Sequence, residues 1–188
     1  MASNREKWLI KAVQVLKKEI FEPKGYKVPQ VRVSVGFTGA RKSKAIGSCW
    51  NKEAAKDQVA QIFISPVIDQ SFRVLDILAH ELIHAIYPKA GHRGSFRKAA
   101  LDIGLTGKMT ATVAGPELRE CLNALIKTLG DYHHASLNID DFRKKQSTRL
   151  LKAECQSCGY IIRVTKKWAE MGLPECMSSC GGHFRIGA

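Results

Sequence analysis

Long apolar runs are missing from this 188-residue chain: none approaches the roughly 20 residues that a membrane span requires. A membrane partner is therefore not expected. The opening segment, MASNREKWLIKAVQVLKKEI, also lacks the unbroken apolar stretch and small-residue cleavage site of a secretory signal. The expected location is intracellular, in the cytoplasm or at the nucleoid or nucleus. Internal repeats and low-complexity tracts are absent too, which sets aside repeat architectures. Acidic residues are scarce: 17 Asp and Glu stand against 30 Lys and Arg, a formal net charge of +13. An excess of that size points to a polyanionic partner, since each phosphate contact releases condensed counterions. DNA, single-stranded or duplex, is the expected one. Cysteine is sparse except at one place: Cys49 and Cys121 are isolated, whereas Cys155, Cys158, Cys176 and Cys180 fall within the last 34 residues.

What remains is enough for a core. Hydrophobic residues make up 45% and charged residues 25%, the composition of a globular protein with one modest domain and an appendage. Ser3 and Glu6 form a capping box that opens a helix through about Ile20, with Trp8, Ala12, Val15, Leu16 and Ile20 on one face. Alternation predicts a strand over 31–37, a second near 46–50 after the basic loop TGARKSKA, and a third over 59–65. Helices are predicted over 71–87, stopped by Pro88, over 94–103, ended by Gly104, and from Pro116 to Leu129, closed by Gly130. Leu118, Cys121, Leu122, Leu125 and Leu129 supply the apolar spacing of the last. Three strands ahead of the long helices predict an α+β domain with an antiparallel or mixed sheet. The polar DYHHASLNIDD and the basic RKKQSTR place a boundary near 145, giving domains 1–145 and 146–188.

The chemistry sits in the run DILAHELIHAIYPKAGHRGSF. His80 and His84, one turn apart, share a helix face, so both imidazoles reach one ion. Glu81 lies close enough to handle a metal-bound water without ligating the metal, the logic of H-E-x-x-H on a helix. The neighbouring Leu75, Ile77, Leu78, Leu82 and Ile83 make this helix apolar nearly all round, hence buried. Buried polar groups need partners, and a metal supplies them. Pro88 and Gly91 let the chain reverse so that His92 becomes a third ligand. Three protein ligands and one open position describe a catalytic zinc, with Glu81 as the general base. Tyr87, Arg93, His133 and His134 are the candidates for stabilising the oxyanion.

HELIHA followed by Gly91-His92-Arg93-Gly94-Ser95-Phe96 resembles the SprT-like zinc metalloprotease family, in which the third histidine sits in a glycine-flanked turn. The upstream IGSCWN and IFISP resemble the strand pair that precedes the active-site helix in that family. Arg93 departs from it, standing where members often have glycine. The resemblance covers about residues 5–130. It implies a zincin-like domain, a small sheet packed on the active-site helix, with His80, His84 and His92 on zinc, Glu81 as base, and DNA-associated or DNA-crosslinked proteins as substrates. A C-terminal zinc ribbon is common in the family.

Cys155-x2-Cys158, with Gly159 after it, and Cys176-x3-Cys180 are separated by 17 residues, the loop range of a structural four-cysteine zinc site that holds a small β ribbon. The second pair is one residue longer than usual, and His183 is an alternative fourth ligand. Two zinc ions are expected, one catalytic and one structural. From Arg143 onward nine Lys and Arg face three Glu, a net +6. Lys144, Lys145, Arg149, Lys166 and Lys167 are candidate phosphate contacts and Trp168 a candidate stacking platform, with Tyr160 and Phe184 assigned to the ribbon's core. The competing reading is a DNA-binding accessory protein of transcription or replication whose zinc site is not catalytic. Hydrolysis of small or non-peptide substrates would fit the metal but leave the charge without a purpose.

Overall fold

A computed structural model describes residues 5–38, 45–138 and 150–187. The capping residue Ser3, the basic loop 41–44, the domain boundary near 145 and the candidate contacts Lys144, Lys145 and Arg149 lie outside the described residues. The chain divides into two compact units, Met1–Ile139 and Asp140–Ala188. Among the described residues no helix is long and apolar enough to cross a membrane.

The first unit is α+β. Helix α1 (Arg5–Leu16) turns into a π-helical turn at Lys17–Phe21. Its buried stripe is Trp8, Leu9, Ala12, Val13, Leu16 and Ile20. Val15, expected on that face, is only half-buried, and Val13 takes its place because the i, i+3, i+4 pattern from Leu9 runs through 12, 13 and 16. Strands β1 (Val31–Val35), β2 (Gly47–Trp50) and β3 (Ala60–Ile64) form a mixed sheet in the order β1-β3-β2. β3 pairs parallel with β1 and antiparallel with β2, leaving β2 at one edge.

Helix α2 (Ser71–Ile86) packs against this sheet, with Val74, Leu75, Leu78, Ala79, Leu82 and Ile83 fully buried. Its interior position follows from its sequence, which has apolar residues on every side except one polar stripe. Helix α3 (Gly94–Asp102) follows, then the hairpin β4 (Leu105–Lys108) and β5 (Ala111–Ala114), then helix α4 (Pro116–Leu129). The hairpin was not expected. Within α4, Leu118 and Leu122 are buried, Leu125 and Leu129 pack partly, and Cys121 is exposed rather than in the apolar stripe.

The second unit is a three-stranded antiparallel sheet, β7-β6-β8, made of β6 (Leu151–Cys155), β7 (Ile161–Val164) and β8 (Phe184–Ile186). A short helix, α5 (Lys166–Met171), is capped by the Thr165 hydroxyl, which accepts from the Trp168 backbone N–H. Ala153, Cys155 and Phe184 form the core. Tyr160 does not join it: that ring is 55% exposed, its centroid 6.2 Å from that of Phe184. A core of three side chains is too small to hold such a sheet alone, which makes the cysteines central to its stability.

Candidate active site and metal centres

The polar stripe of α2 faces a cleft of about 440 Å³. One wall is residues 45–49, running into the edge strand β2; another is Thr110, Ala111 and Thr112 at the start of β5. His80, Glu81 and His84 form the floor. After Ile86 the chain leaves the helix through Tyr87 and Pro88, and Gly91 takes a left-handed φ of 56°, which glycine adopts without a Cβ penalty. That reversal returns His92 to α2, with His84 Nε2 and His92 Nε2 3.1 Å apart. One available nitrogen from each of the three histidines lies within 4.8 Å of the other two. Nitrogens sharing a tetrahedral zinc at 2.0–2.1 Å stand about 3.3 Å apart, so the spacing suits a common ion.

Two further groups set the orientation of the rings. Thr112, buried on β5, has its Oγ1 2.8 Å from His80 Nδ1; with that N–H donating, Nε2 keeps its lone pair for a metal. Phe96, fully buried in the first turns of α3, has its centroid 4.9, 4.4 and 5.0 Å from those of His80, His84 and His92.

Burial also governs the charges. It pushes His80 down to about 3, helped by the neighbouring His84 and His92, and His84 down to about 4, helped by His92. His92 is lowered for the same first reason. Neutral imidazoles are the metal-binding form, so protons compete weakly for these ligands. Glu81, 6% exposed, is pushed up to about 8 by desolvation. Cys49 lines the same cleft and is raised to about 12 by burial and then by Glu81, which makes it an inert thiol there. Backbone and carboxyl meet closely at one point. A Cβ on Gly47 would sit 2.5 Å from Glu81 Oε1 and 2.4 Å from Ile77 Cγ2, so only glycine lets β2 lie this near α2.

Comparisons with protein-family models, with curated proteins and with solved structures give no match. The resemblance to the SprT-like family thus stands on its motif residues alone, and the site is read from its own chemistry.

In the second unit, Cys155, Cys158, Cys176 and Cys180 place their sulfurs within 4.8 Å of one another. Cys155 and Cys180 approach to 3.5 Å, as do Cys158 and Cys176. The residue that lengthens Cys176-x3-Cys180 is absorbed by Ser179 in the left-handed region, φ 54°. Ser178 Oγ lies 3.0 and 2.9 Å from the sulfurs of Cys158 and Cys176. His183 is exposed, forms a bridge with Glu175 through the backbone, and does not belong to the cluster. Three neutral imidazoles and four thiols are both donor sets that zinc takes, the first with a position open to the cleft and the second closed.

The remaining candidates are scattered. Tyr87, Arg93, His133 and His134 do not line the cleft. His133 and His134 belong to a separate depression with Arg5, Phe37 and Pro66, where His134 Nε2 lies 2.9 Å from the Pro66 carbonyl oxygen. Lys166, Lys167 and Trp168 lie together at the start of α5, exposed, with Lys167 Nζ 5.4 Å from the Trp168 ring centroid and Lys166 3.7 Å from Glu170. Sequence reasoning missed Thr112, Gly47, Arg73 and Asp76, all of which line the cleft.

Proposed function

We propose that the chain is a zinc-dependent endopeptidase that acts on DNA-associated or DNA-crosslinked proteins. The observation that carries this reading is the placing of Glu81 and three neutral, converging histidines on the floor of one cleft. Zinc held by His80, His84 and His92 supplies a Lewis acid and a water of lowered pKa. Glu81 needs to accept a proton from that water and return it to the leaving amine; burial raises its carboxyl in the metal-free protein, and the charge of a zinc held beside it would favour the ionised form that a base requires. Thr112 fixes the His80 ring, and Phe96 keeps water from the far side of the three imidazoles.

A peptide fits the cleft better than a small metabolite does. β2 is an edge strand that pairs with β3, and its residues Gly47, Ser48 and Cys49 line the cleft, which supports an extended segment adding to that edge. Support for DNA as the second partner comes from the charge of +13 and from the exposed Lys166, Lys167 and Trp168. The test is to incubate the zinc-loaded protein with a DNA-bound basic protein, with and without the DNA, beside Glu81→Gln. The expected result is cleavage by the parent protein and a loss of about 10²–10⁴-fold in the variant. Equal proteolysis by both would remove Glu81 from the chemistry, and no proteolysis by either would favour the accessory-protein reading.

A further inference from the structure

The endopeptidase reading leaves one part of the cleft without a task. α2 presents Arg73, Asp76, Ile77, His80, Glu81 and His84 to it. Residues seven apart on a helix point within about 20° of one another and lie about 10.5 Å apart along the axis. Arg73 therefore shares the face of His80, two turns nearer the start of the helix. It is a cation in a first turn that holds no acidic residue, where the helix macrodipole disfavours positive charge.

Arg73 is anchored by one edge. Its Nη1 donates to Asp76 Oδ2, and Asp76 is 2% exposed, with the Ala114 backbone also acting on its carboxyl. The carboxylate therefore occupies one corner of the guanidinium rather than forming a two-toothed pair. A guanidinium has five N–H donors, and the Arg73 side chain remains 31% exposed on the cleft wall. Arg119 also acts on Asp76 electrostatically, so two cations face one acid at this end. Among the described residues lining the cleft Arg73 is the one Lys or Arg, the rest being small, apolar or neutral hydroxyl groups apart from Asp76 and the histidine–glutamate floor. An anchored guanidinium with spare donors on a cleft wall recognises a planar anion.

We propose that this end of the cleft is a carboxylate subsite, in which Arg73, held by Asp76, binds an acidic side chain of the substrate peptide. The proposal rests on the endopeptidase reading and adds a substrate class to it. At about 3.4 Å per residue of extended chain, the 10.5 Å from His80 to Arg73 puts the acidic residue about three positions from the scissile bond.

The experiment uses full-length, zinc-loaded Glu81→Gln protein, so that peptide is bound and not consumed. Labelled, C-terminally amidated decapeptides of neutral sequence carry a single Glu, moved along the chain, and each has a Gln twin. Amidation removes the terminal carboxylate, and a free-acid arm reports whether a chain end is taken instead. Fluorescence anisotropy should give, at one position, binding about tenfold tighter for Glu than for Gln. Arg73→Met combined with Asp76→Asn should bring that ratio close to one. The double change leaves the net charge at +13, so general attraction for acidic peptides is unaltered. Arg73→Lys, which still balances Asp76 but loses the fork, should cut the ratio to about threefold and serves if the double variant fails to fold. Glu and Gln binding alike at every position, a ratio that survives the double variant, or a preference confined to the free-acid arm would each overturn the proposal. Cleavage by the parent protein separates the two ideas: neutral peptide cut without a Glu preference sinks the subsite alone, whereas Glu-selective binding without any cleavage sinks the peptidase reading alone.

Discussion

Replacing Gly47 with alanine tests the tightest contact in the candidate site. The added Cβ would lie 2.4 Å from Ile77 Cγ2, 2.5 Å from Glu81 Oε1 and 3.0 Å from Glu81 Cγ. Ordinary carbon contacts begin near 3.5 Å, so about 1 Å of movement is forced. Ile77 is 4% exposed within the core and yields little. Either β2 lifts from α2, straining its pairing with β3, or the Glu81 carboxyl swings aside. Overpacking of this kind costs about 1–3 kcal/mol. For a unit of this size each kcal/mol lowers Tm by roughly 3–4 °C, giving an expected fall of about 3–12 °C by calorimetry. No imidazole is touched, so zinc content should stay at the parent value by elemental analysis. Cleavage should fall by about 100-fold, the effect of misplacing a reacting group by about 1 Å. A variant with parent Tm and parent activity would refute the packing of β2 on Glu81.

Three other outcomes follow from the geometry. Elemental analysis of intact protein should find two zinc ions per chain, falling to one in His84→Ala and to one in Cys158→Ser; a parent value of one would remove one of the two centres. Tyr132, 4% exposed with its hydroxyl unpartnered, is pushed up to about 12 by burial, so the folded state favours its neutral form. That contribution is complete below pH 10 and is lost as pH rises through 12, hence Tyr132→Phe should flatten the alkaline fall in stability followed by chemical denaturation, and an unchanged slope would contradict it. Trp168→Ala should weaken single-stranded DNA binding by about 1–3 kcal/mol while the fold of the second unit, which buries little of this ring, is retained by circular dichroism; unaltered affinity would move the contact elsewhere.

The candidate metal ligands were legible in the sequence because their spacing is a local property. Two histidines four apart converge on any helix, and Pro88 with Gly91 leaves His92 few directions other than back. The cysteine cluster was legible for the same reason. Thr112 was not: it reaches His80 through the β4–β5 hairpin, whose residues, LTGKMTATVA, lack the regular apolar alternation that marks a strand. The parallel pairing of β1 with β3 was equally hidden, since side-chain alternation says which face is buried and nothing of direction. Candidates such as His133 and His134 were chosen by residue type, and tertiary structure placed them in another depression. Arg73 carried no signal in the sequence, since nothing in a lone arginine seven residues before His80 says that both line one cleft.

Phe96 gives the histidine centre a front and a back. Its fully buried ring packs on all three imidazoles, while the cleft opens beside them among the described residues. On the proposed peptidase reading, a metal entering or leaving through the cleft would share its doorway with a peptide. Traffic of the ion and occupancy by substrate would then compete, and a peptide lodged in the cleft would act as a stopper that slows extraction of the metal by a chelator.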